Sequence, residues 1–116
     1  MIGIDLIEIE RVERALERRP RLAGRLFTEG ELAYSNERSR PARHLAARFA
    51  AKEAAIKALG GRGVAPREIE VVAGEPPRLA LHGRAAELAD ERGLALGVSL
   101  THSRELAAAA VVTRSA

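Results

Sequence analysis

The sequence has no cysteine and no tryptophan, and its only aromatic residues are two phenylalanines and one tyrosine. Without cysteine, the protein cannot contain a disulfide framework, a thiolate nucleophile or a cysteine-ligated zinc. Hydrophobic residues make up 47% of the chain, so a core is possible, but it must be aliphatic and rich in alanine. The scarcity of aromatic rings also disfavours RNA binding, which commonly stacks bases on such rings.

The sequence also lacks a long apolar run. No stretch approaches the roughly 18 consecutive apolar residues of a membrane span. The first ten residues, MIGIDLIEIE, carry no positive charge ahead of Asp5, which argues against a secretory signal peptide. We therefore expect a soluble cytoplasmic protein with no membrane partner. A length of 116 residues predicts one domain, residues 1–116.

The charge is unevenly distributed. The net charge is +3, and 17 of the 19 basic residues are arginine. Ten of the arginines lie in the first 48 residues, an excess that favours an anionic partner such as a phosphate, a nucleic acid or an acidic protein. A composition that is simply rich in arginine and alanine would produce the same excess, and composition does not separate these two explanations.

Hydrophobic periodicity predicts the order β–α–α–α–ββ–α–ββ. The predicted strands are 2–6, 69–72, 79–81, 97–100 and 108–113. The predicted helices follow the first strand to about Arg19, and then span 28–34, 42–59 and 84–92. The polar segment 35–43, which contains Pro41, is predicted to be a loop. This order indicates an α+β domain in which an antiparallel sheet packs with helices.

The first predicted helix carries a row of arginines. At 100° per residue, Ile9 and Val12 belong to the buried stripe. The helix face farthest from that stripe holds Arg11, Arg14 and Arg18. This arginine row is therefore available to a partner.

The long helix contains the stretch RFAAKEAAIKAL, residues 48–59. Its apolar stripe consists of Leu45, Phe49, Ile56 and Leu59. Lys52 falls inside that stripe by angle, so we expect its stem to pack while its ammonium group reaches solvent.

Glu53 and Lys57 lie beside the stripe, on a face that also holds Ala46 and Ala50. Small side chains on that face would let a ligand approach the helix closely. The alternative is an ordinary surface pair of Glu53 with Lys57, worth about 0.2–0.5 kcal/mol.

Asp5 lies in the apolar context IGIDLI, where a carboxylate is costly to bury without a partner. It could instead cap the first helix, with Glu8 completing a capping-box-like pattern. Asp5 together with Glu53 would suit Mg²⁺, which commonly uses one or two carboxylates.

Two further features have competing explanations. His102 ends a predicted strand, where functional groups are common, although a lone histidine is more often structural. The glycines of 60–63 could offer N–H groups to a phosphate, or could simply terminate the helix.

Three motifs together resemble the holo-acyl-carrier-protein synthases, the small 4'-phosphopantetheinyl transferases. GIDLIEIER (3–11) resembles their first motif and RFAAKEAAIKA (48–58) their second. VSLTH (98–102), followed by an alanine-rich strand, resembles their last motif. FTEGEL (27–32) and GEP (74–76) also fit, so the resemblance spans nearly the whole chain. Glu75 departs from it, because a lysine is common at that position, and so does Arg62 within the glycine loop.

The resemblance implies the phosphopantetheinyl transferase fold and its reaction. The phosphopantetheine arm of coenzyme A would be transferred to a serine of an apo acyl carrier protein, and adenosine 3',5'-bisphosphate would leave. Mg²⁺ held by Asp5 and Glu53 would neutralise charge on the diphosphate. A metal-bound water or one of these carboxylates, with Glu53 favoured, would take the serine proton. Lys57 would stabilise the diphosphate.

The resemblance implies further binding roles. Arg40, Arg48 and His102 would meet the adenosine and phosphate end of coenzyme A, and Gly60 would belong to the loop that passes it. Arg11 matches the position that meets the acidic carrier protein, and Arg14 and Arg18 extend its row. The family implies a homotrimer with active sites at subunit boundaries. The alternative function is a non-catalytic basic module that binds coenzyme A, RNA or an acidic protein.

Overall fold

A computed structural model describes all 116 residues. Five strands form two antiparallel sheets, one of three strands in the order β1-β5-β4 and one of the two strands β2-β3. The strands are β1 (Ile2–Glu8), β2 (Ile69–Val72), β3 (Arg78–Leu81), β4 (Leu94–His102) and β5 (Leu106–Ser115). The helices are α1 (Ile9–Arg18), α2 (Leu22–Leu26), α3 (Glu29–Asn36), α4 (Pro41–Leu59) and α5 (Gly83–Arg92), with a 3₁₀ turn at Pro66–Glu68. The predicted α+β class is confirmed, although α2 was not predicted and β4 and β5 are longer than expected.

The helix ends follow local sequence signals. Thr28 caps α3: its Oγ1 accepts a hydrogen bond from the Glu31 N–H, and Glu31 Oε1 accepts one from the Thr28 N–H. Gly60 ends α4 and Gly93 ends α5, each in the left-handed region that glycine enters without steric cost. None of these helices is both long and apolar enough to cross a membrane.

Helix α4 is the centre of the fold, and its alanines allow the three-stranded sheet to approach its backbone. Ala46, Ala50 and Ala54 are fully buried. A Cβ added at Gly3 of β1 would overlap the carbonyl oxygen of Ala54, so only glycine permits this approach. The expectation that Ala46 and Ala50 leave room for a ligand is wrong, because packed protein occupies that space.

The opposite face of the three-stranded sheet is uncovered. Ile2, Ile4 and Leu6 each expose 63% of their surface. They point away from α4 because successive strand residues alternate between faces, and Gly3 and Asp5 turn toward the helix. Val112, paired with Ile2, extends this apolar face and is 44% exposed. Contiguous exposed apolar surface of this kind marks an interaction site.

Lys52 does not reach solvent, so that prediction was wrong. Its side chain is fully buried, and Nζ donates to Glu31 Oε1 at 2.7 Å. Nζ also donates to the carbonyl oxygens of Pro66 at 3.0 Å and Ile69 at 2.6 Å. Burial lowers the pKa of the Lys52 ammonium, and the Glu31 carboxylate opposes that shift. The ammonium stays inside because α3, the 3₁₀ turn and the first residue of β2 bring it a complete set of acceptors.

Candidate active site

Asp5 of β1 and Glu53 of α4 line one cleft of about 440 Å³, here called the carboxylate cleft. The remaining lining is apolar except for Arg11. The Asp5 side chain is 19% exposed. Asp5 lies within the strand and does not cap α1; the cap position belongs to Glu8, which makes no side-chain cap. The two carboxylates that the sequence singled out therefore share one cavity.

Lys57 binds the strand rather than its helical neighbour. Its Nζ donates to the Ile4 carbonyl oxygen at 2.9 Å and to Asp5 Oδ1 at 3.3 Å. The alternative surface pair with Glu53 does not form, since the only ion pair of Lys57 is with Asp5. The Lys57 side chain remains 56% exposed, so its ammonium group can bind an anion next to Asp5.

The donors of the carboxylate cleft fit a hard cation. Asp5 and Glu53 supply carboxylate oxygens only, and the chain contains no cluster of three or more histidine, cysteine or acidic side chains. A structural zinc site needs about four protein ligands, including nitrogen or sulfur, which this set lacks. Mg²⁺ commonly takes one or two carboxylates and completes its shell with water and phosphate. The residues present therefore fit Mg²⁺.

A second cavity of about 460 Å³, the basic cleft, lies on the other side of α4. Arg48 and His102 line it together with Tyr34, His44 and Glu75. Arg48 is only 4% exposed, yet its Nε has no partner and its Nη1 makes one long hydrogen bond, 3.4 Å, to the His44 carbonyl oxygen. Burial lowers the pKa of the Arg48 guanidinium, and Tyr34 opposes that shift. A buried cation with unused donors is suited to receive an anion.

More basic groups surround this cavity. Arg40 precedes α4, and its Nη1 donates to the Arg104 carbonyl oxygen at 2.8 Å, which links it to the turn after His102. The rings of His44 and His102 meet edge to face at 5.7 Å. Burial, and then the charges of Arg43 and Arg48, lower the pKa of His44. A neutral His44 therefore lies among fixed positive charges.

The two clefts are separate within one chain, since they share no lining residue. Arg48 and Glu53 are five residues apart on α4, which is about 140° of rotation at 3.6 residues per turn, so they face different sides of the helix. The structure thus brings Asp5, Glu53 and Lys57 together, and separately gathers Arg48 with His102. Gly60, at the end of α4, lines neither cleft.

The arginine row lies on the surface, as predicted. Arg11, Arg14 and Arg18 are exposed on α1, and Arg14 pairs with Glu10 at 2.5 Å. Arg11 reaches the carboxylate cleft, which joins the row to that cavity. Sequence reasoning missed an arginine-lined hollow of about 510 Å³ at the turn into α2, lined by Arg19, Arg21 and Arg25.

Sequence reasoning also missed Tyr34 and His44 in the basic cleft. Tyr34 ends one predicted helix and His44 lies near the start of the next, and nothing in the sequence shows that the two helix ends meet. Spacing was the available signal for His44: it lies four residues before Arg48, so the two share a face of the predicted helix 42–59.

Comparison with known proteins identifies the class. A family model of the 4'-phosphopantetheinyl transferase superfamily matches residues 1–111. The chain belongs to this superfamily and is therefore a transferase.

Two relatives place the chain more narrowly. The holo-acyl-carrier-protein synthase of Moorella thermoacetica is 50% identical, over 97% of this chain and 92% of the relative. The holo-acyl-carrier-protein synthase of Streptomyces coelicolor is 49% identical, over 96% of this chain and 94% of the relative. The resemblance to holo-acyl-carrier-protein synthases found in the three motifs is confirmed.

Solved structures agree on the fold. The Mycobacterium tuberculosis acyl carrier protein synthase is 36% identical with a TM-score of 0.81, covering 99% of this chain and 96% of its own. The Helicobacter pylori holo-acyl-carrier-protein synthase was solved in complex with coenzyme A. It is 28% identical with a TM-score of 0.83, and the match covers 98% of this chain and 100% of that structure's chain. A Bacillus anthracis holo-acyl-carrier-protein synthase, in complex with coenzyme A (3',5'-ADP), is 34% identical with a TM-score of 0.79. The match covers 99% of this chain and 96% of that structure's chain.

Proposed function

We propose that this protein transfers the 4'-phosphopantetheine group of coenzyme A to a serine of an apo acyl carrier protein in the cytoplasm. The serine oxygen bonds to the phosphorus that carries the pantetheine arm, and adenosine 3',5'-bisphosphate leaves. The observation that carries the proposal is that Asp5 and Glu53 line one cavity, with Lys57 bound to Asp5, in a chain from this superfamily. Relatives solved with coenzyme A support the choice of donor.

In the carboxylate cleft, Asp5 and Glu53 would hold Mg²⁺. When bound, the metal supplies charge neutralisation to the diphosphate and its leaving group. Lys57 moves its ammonium from Asp5 to the diphosphate oxygens, where it offsets the negative charge that develops during transfer. A Glu53 oxygen accepts the serine proton, because Glu53 lines the cavity that the serine enters.

The basic cleft would bind the other end of coenzyme A. Arg48 has unused donors beside His102, which suits a phosphate group. Arg40, tied to the turn after His102, adds charge at the rim. Gly60 bounds the loop along which the coenzyme passes. Glu75 lines this cleft at the position where a lysine is common in the family, so the cleft lacks that cation. Arg62 is exposed and adds a cation to the glycine loop.

Because the two clefts lie on opposite sides of α4, one coenzyme A would bind between two copies of the chain. The uncovered face of Ile2, Ile4 and Leu6 gives those copies an apolar surface on which to associate. We propose a homotrimer in which each active site combines the carboxylate cleft of one subunit with the basic cleft of the next.

The arginine row would receive the carrier protein. Acyl carrier proteins are acidic, and Arg11, Arg14 and Arg18 form an exposed positive surface. Arg11 lines the carboxylate cleft, so a carrier docked on the row could present its serine to Glu53. Arg21 and Arg25 extend the same charge around the α1–α2 turn.

The test is incubation with coenzyme A, Mg²⁺ and an apo acyl carrier protein, followed by intact-mass measurement of the carrier. We expect the carrier to gain the mass of phosphopantetheine. Glu53→Gln, which retains size but removes the charge, should abolish transfer while thermal unfolding stays near that of the parent. No added mass with the parent protein would refute the proposal, and near-normal transfer by Glu53→Gln would remove Glu53 from the mechanism. A non-catalytic binding module would leave the carrier unmodified in both cases.

A further inference from the structure

Tyr34 is the only tyrosine of the chain, and its ring is the contact point of two arginines. The guanidinium carbon of Arg38 lies 3.5 Å from the ring centroid, and that of Arg48 lies 4.1 Å from it. The ring also meets His44 edge-on at 5.9 Å, and His44 in turn meets His102. Ring contacts therefore connect Tyr34 through His44 to His102, the exposed histidine of the basic cleft.

Arg48 needs such a neighbour because little else holds it. It is 4% exposed and forms no ion pair, its one hydrogen bond is 3.4 Å long, and its Nε is unpaired. A carboxylate at this position would fix the guanidinium but would also cancel the charge that a ligand needs. An aromatic ring face attracts and orients a guanidinium while leaving its N–H donors free.

We propose that Tyr34 is a positioning residue for the 3'-phosphate of coenzyme A. It orients Arg48 directly and supports His102 through His44, so that both present donors to that phosphate. The inference rests on the proposed function, since it assigns the phosphate to the basic cleft. Tyr34 thereby sets how strongly the enzyme prefers coenzyme A to 3'-dephospho-coenzyme A.

The experiment compares the parent protein with Tyr34→Leu and Tyr34→Phe. KM and kcat are measured for coenzyme A and for 3'-dephospho-coenzyme A, with one apo carrier protein. Loss of one stacking contact at a partly desolvated site predicts a KM for coenzyme A raised by about 3- to 30-fold in Tyr34→Leu. The KM for the dephospho compound and both kcat values should change by less than about twofold. Tyr34→Phe, which keeps the ring face and removes only the hydroxyl that also interacts with Arg48, should retain most of the parent preference.

Other outcomes decide against the inference. A merely structural role would lower the thermal stability of Tyr34→Leu, and would raise both KM values equally or leave both unchanged. If Tyr34→Leu does not fold, Tyr34→Met, which keeps length without a ring, carries the same expectation. If the parent catalyses no transfer, the proposed function fails, and calorimetric binding of the two coenzymes then tests Tyr34 by itself. An equal loss of binding for both coenzymes, or no loss, would overturn the role of Tyr34.

Discussion

The ammonium group of Lys52 lies 2.7 Å from the carboxylate of Glu31, and both side chains are completely buried. The other carboxylate oxygen of Glu31 accepts a hydrogen bond from the Val71 N–H at 2.9 Å. This pair therefore joins α3, α4 and β2 through one set of polar contacts inside the protein. A buried ion pair of this kind is costly to break from one side only, because the remaining charge loses its partner.

Lys52→Met should destabilise the protein by about 3–5 kcal/mol, since Glu31 would stay buried without a cation. The double variant Lys52→Met/Glu31→Gln removes both charges and should recover part of that loss. Urea unfolding followed by circular dichroism measures the difference. If Lys52→Met lowers the free energy of unfolding by less than about 1 kcal/mol, the assignment of a fully buried pair is contradicted.

Gly3→Ala should destabilise the fold by about 3 kcal/mol or more, because the new methyl group meets the backbone carbonyl of Ala54, which cannot rotate away. Gly24→Ala is the matched control, since a Cβ there meets no atom within 4 Å. That change lies within α2 and should stabilise the protein by about 0.5–1 kcal/mol. A lower unfolding temperature for Gly3→Ala and a higher one for Gly24→Ala would support the close packing of β1 on α4. Equal changes in the two variants would refute it.

His44 should titrate below its ordinary pKa of 6.5, as burial and the charges of Arg43 and Arg48 disfavour the imidazolium. The folded pKa is then below the unfolded pKa, so the unfolded chain binds more protons than the folded chain at pH values between the two. Through His44, stability should fall as the pH drops from 6.5 toward the folded pKa, and should not change above 6.5.

NMR titration of the His44 ring measures that pKa directly. Coenzyme A should raise it, since an added phosphate offsets the neighbouring arginines. His44→Gln should remove this part of the pH dependence of urea unfolding. A His44 pKa at or above 6.5 in the free protein would contradict the described surroundings.

Arg14→Glu should slow association with an apo acyl carrier protein by about 3- to 10-fold at low salt, and should weaken the salt dependence of the rate. Arg67→Glu is the control, because Arg67 is exposed on the 3₁₀ turn, outside the arginine row. Stopped-flow measurement at several salt concentrations separates the two variants. Equal slowing by both would show that net charge, rather than the row on α1, steers the carrier.

Ile4→Lys should convert the proposed trimer to monomers, because it places a charge at the centre of the uncovered apolar face. Light scattering should report one third of the parent mass, and transfer should be lost with the carboxylate cleft itself unchanged. A monomeric parent protein, or an active monomeric variant, would refute the composite site.

Two inactive variants provide a sharper test of the same assembly. Glu53→Gln impairs one cleft and Arg48→Ala the other, so co-expressed chains should form some sites in which both clefts are intact. Activity of the mixture well above that of either variant alone is expected. If both clefts of one chain served the same coenzyme, mixing would restore nothing.

The sequence predicted α4 almost to the residue, because its periodicity is long and Gly60 marks its end. The sequence also identified Asp5 and Glu53 as candidate metal-binding residues, and in the structure both line one cavity. It misjudged Lys52, since the deciding partner, Glu31, is 21 residues away and belongs to another helix. Helix α2 was missed because a five-residue helix between Pro20 and Phe27 carries too little periodicity to detect.

The contact between Gly3 and Ala54 has a consequence for how this protein can vary. β1 carries Asp5 two residues after Gly3, and α4 carries Glu53 one residue before Ala54, so this contact lies next to both carboxylates along the chain. At that point the backbone of β1 contacts the backbone of α4 directly. The relative placement of the two acidic groups therefore depends on a contact that only glycine at position 3 and small residues on α4 permit, which restricts the substitutions that this part of the aliphatic interior can accept.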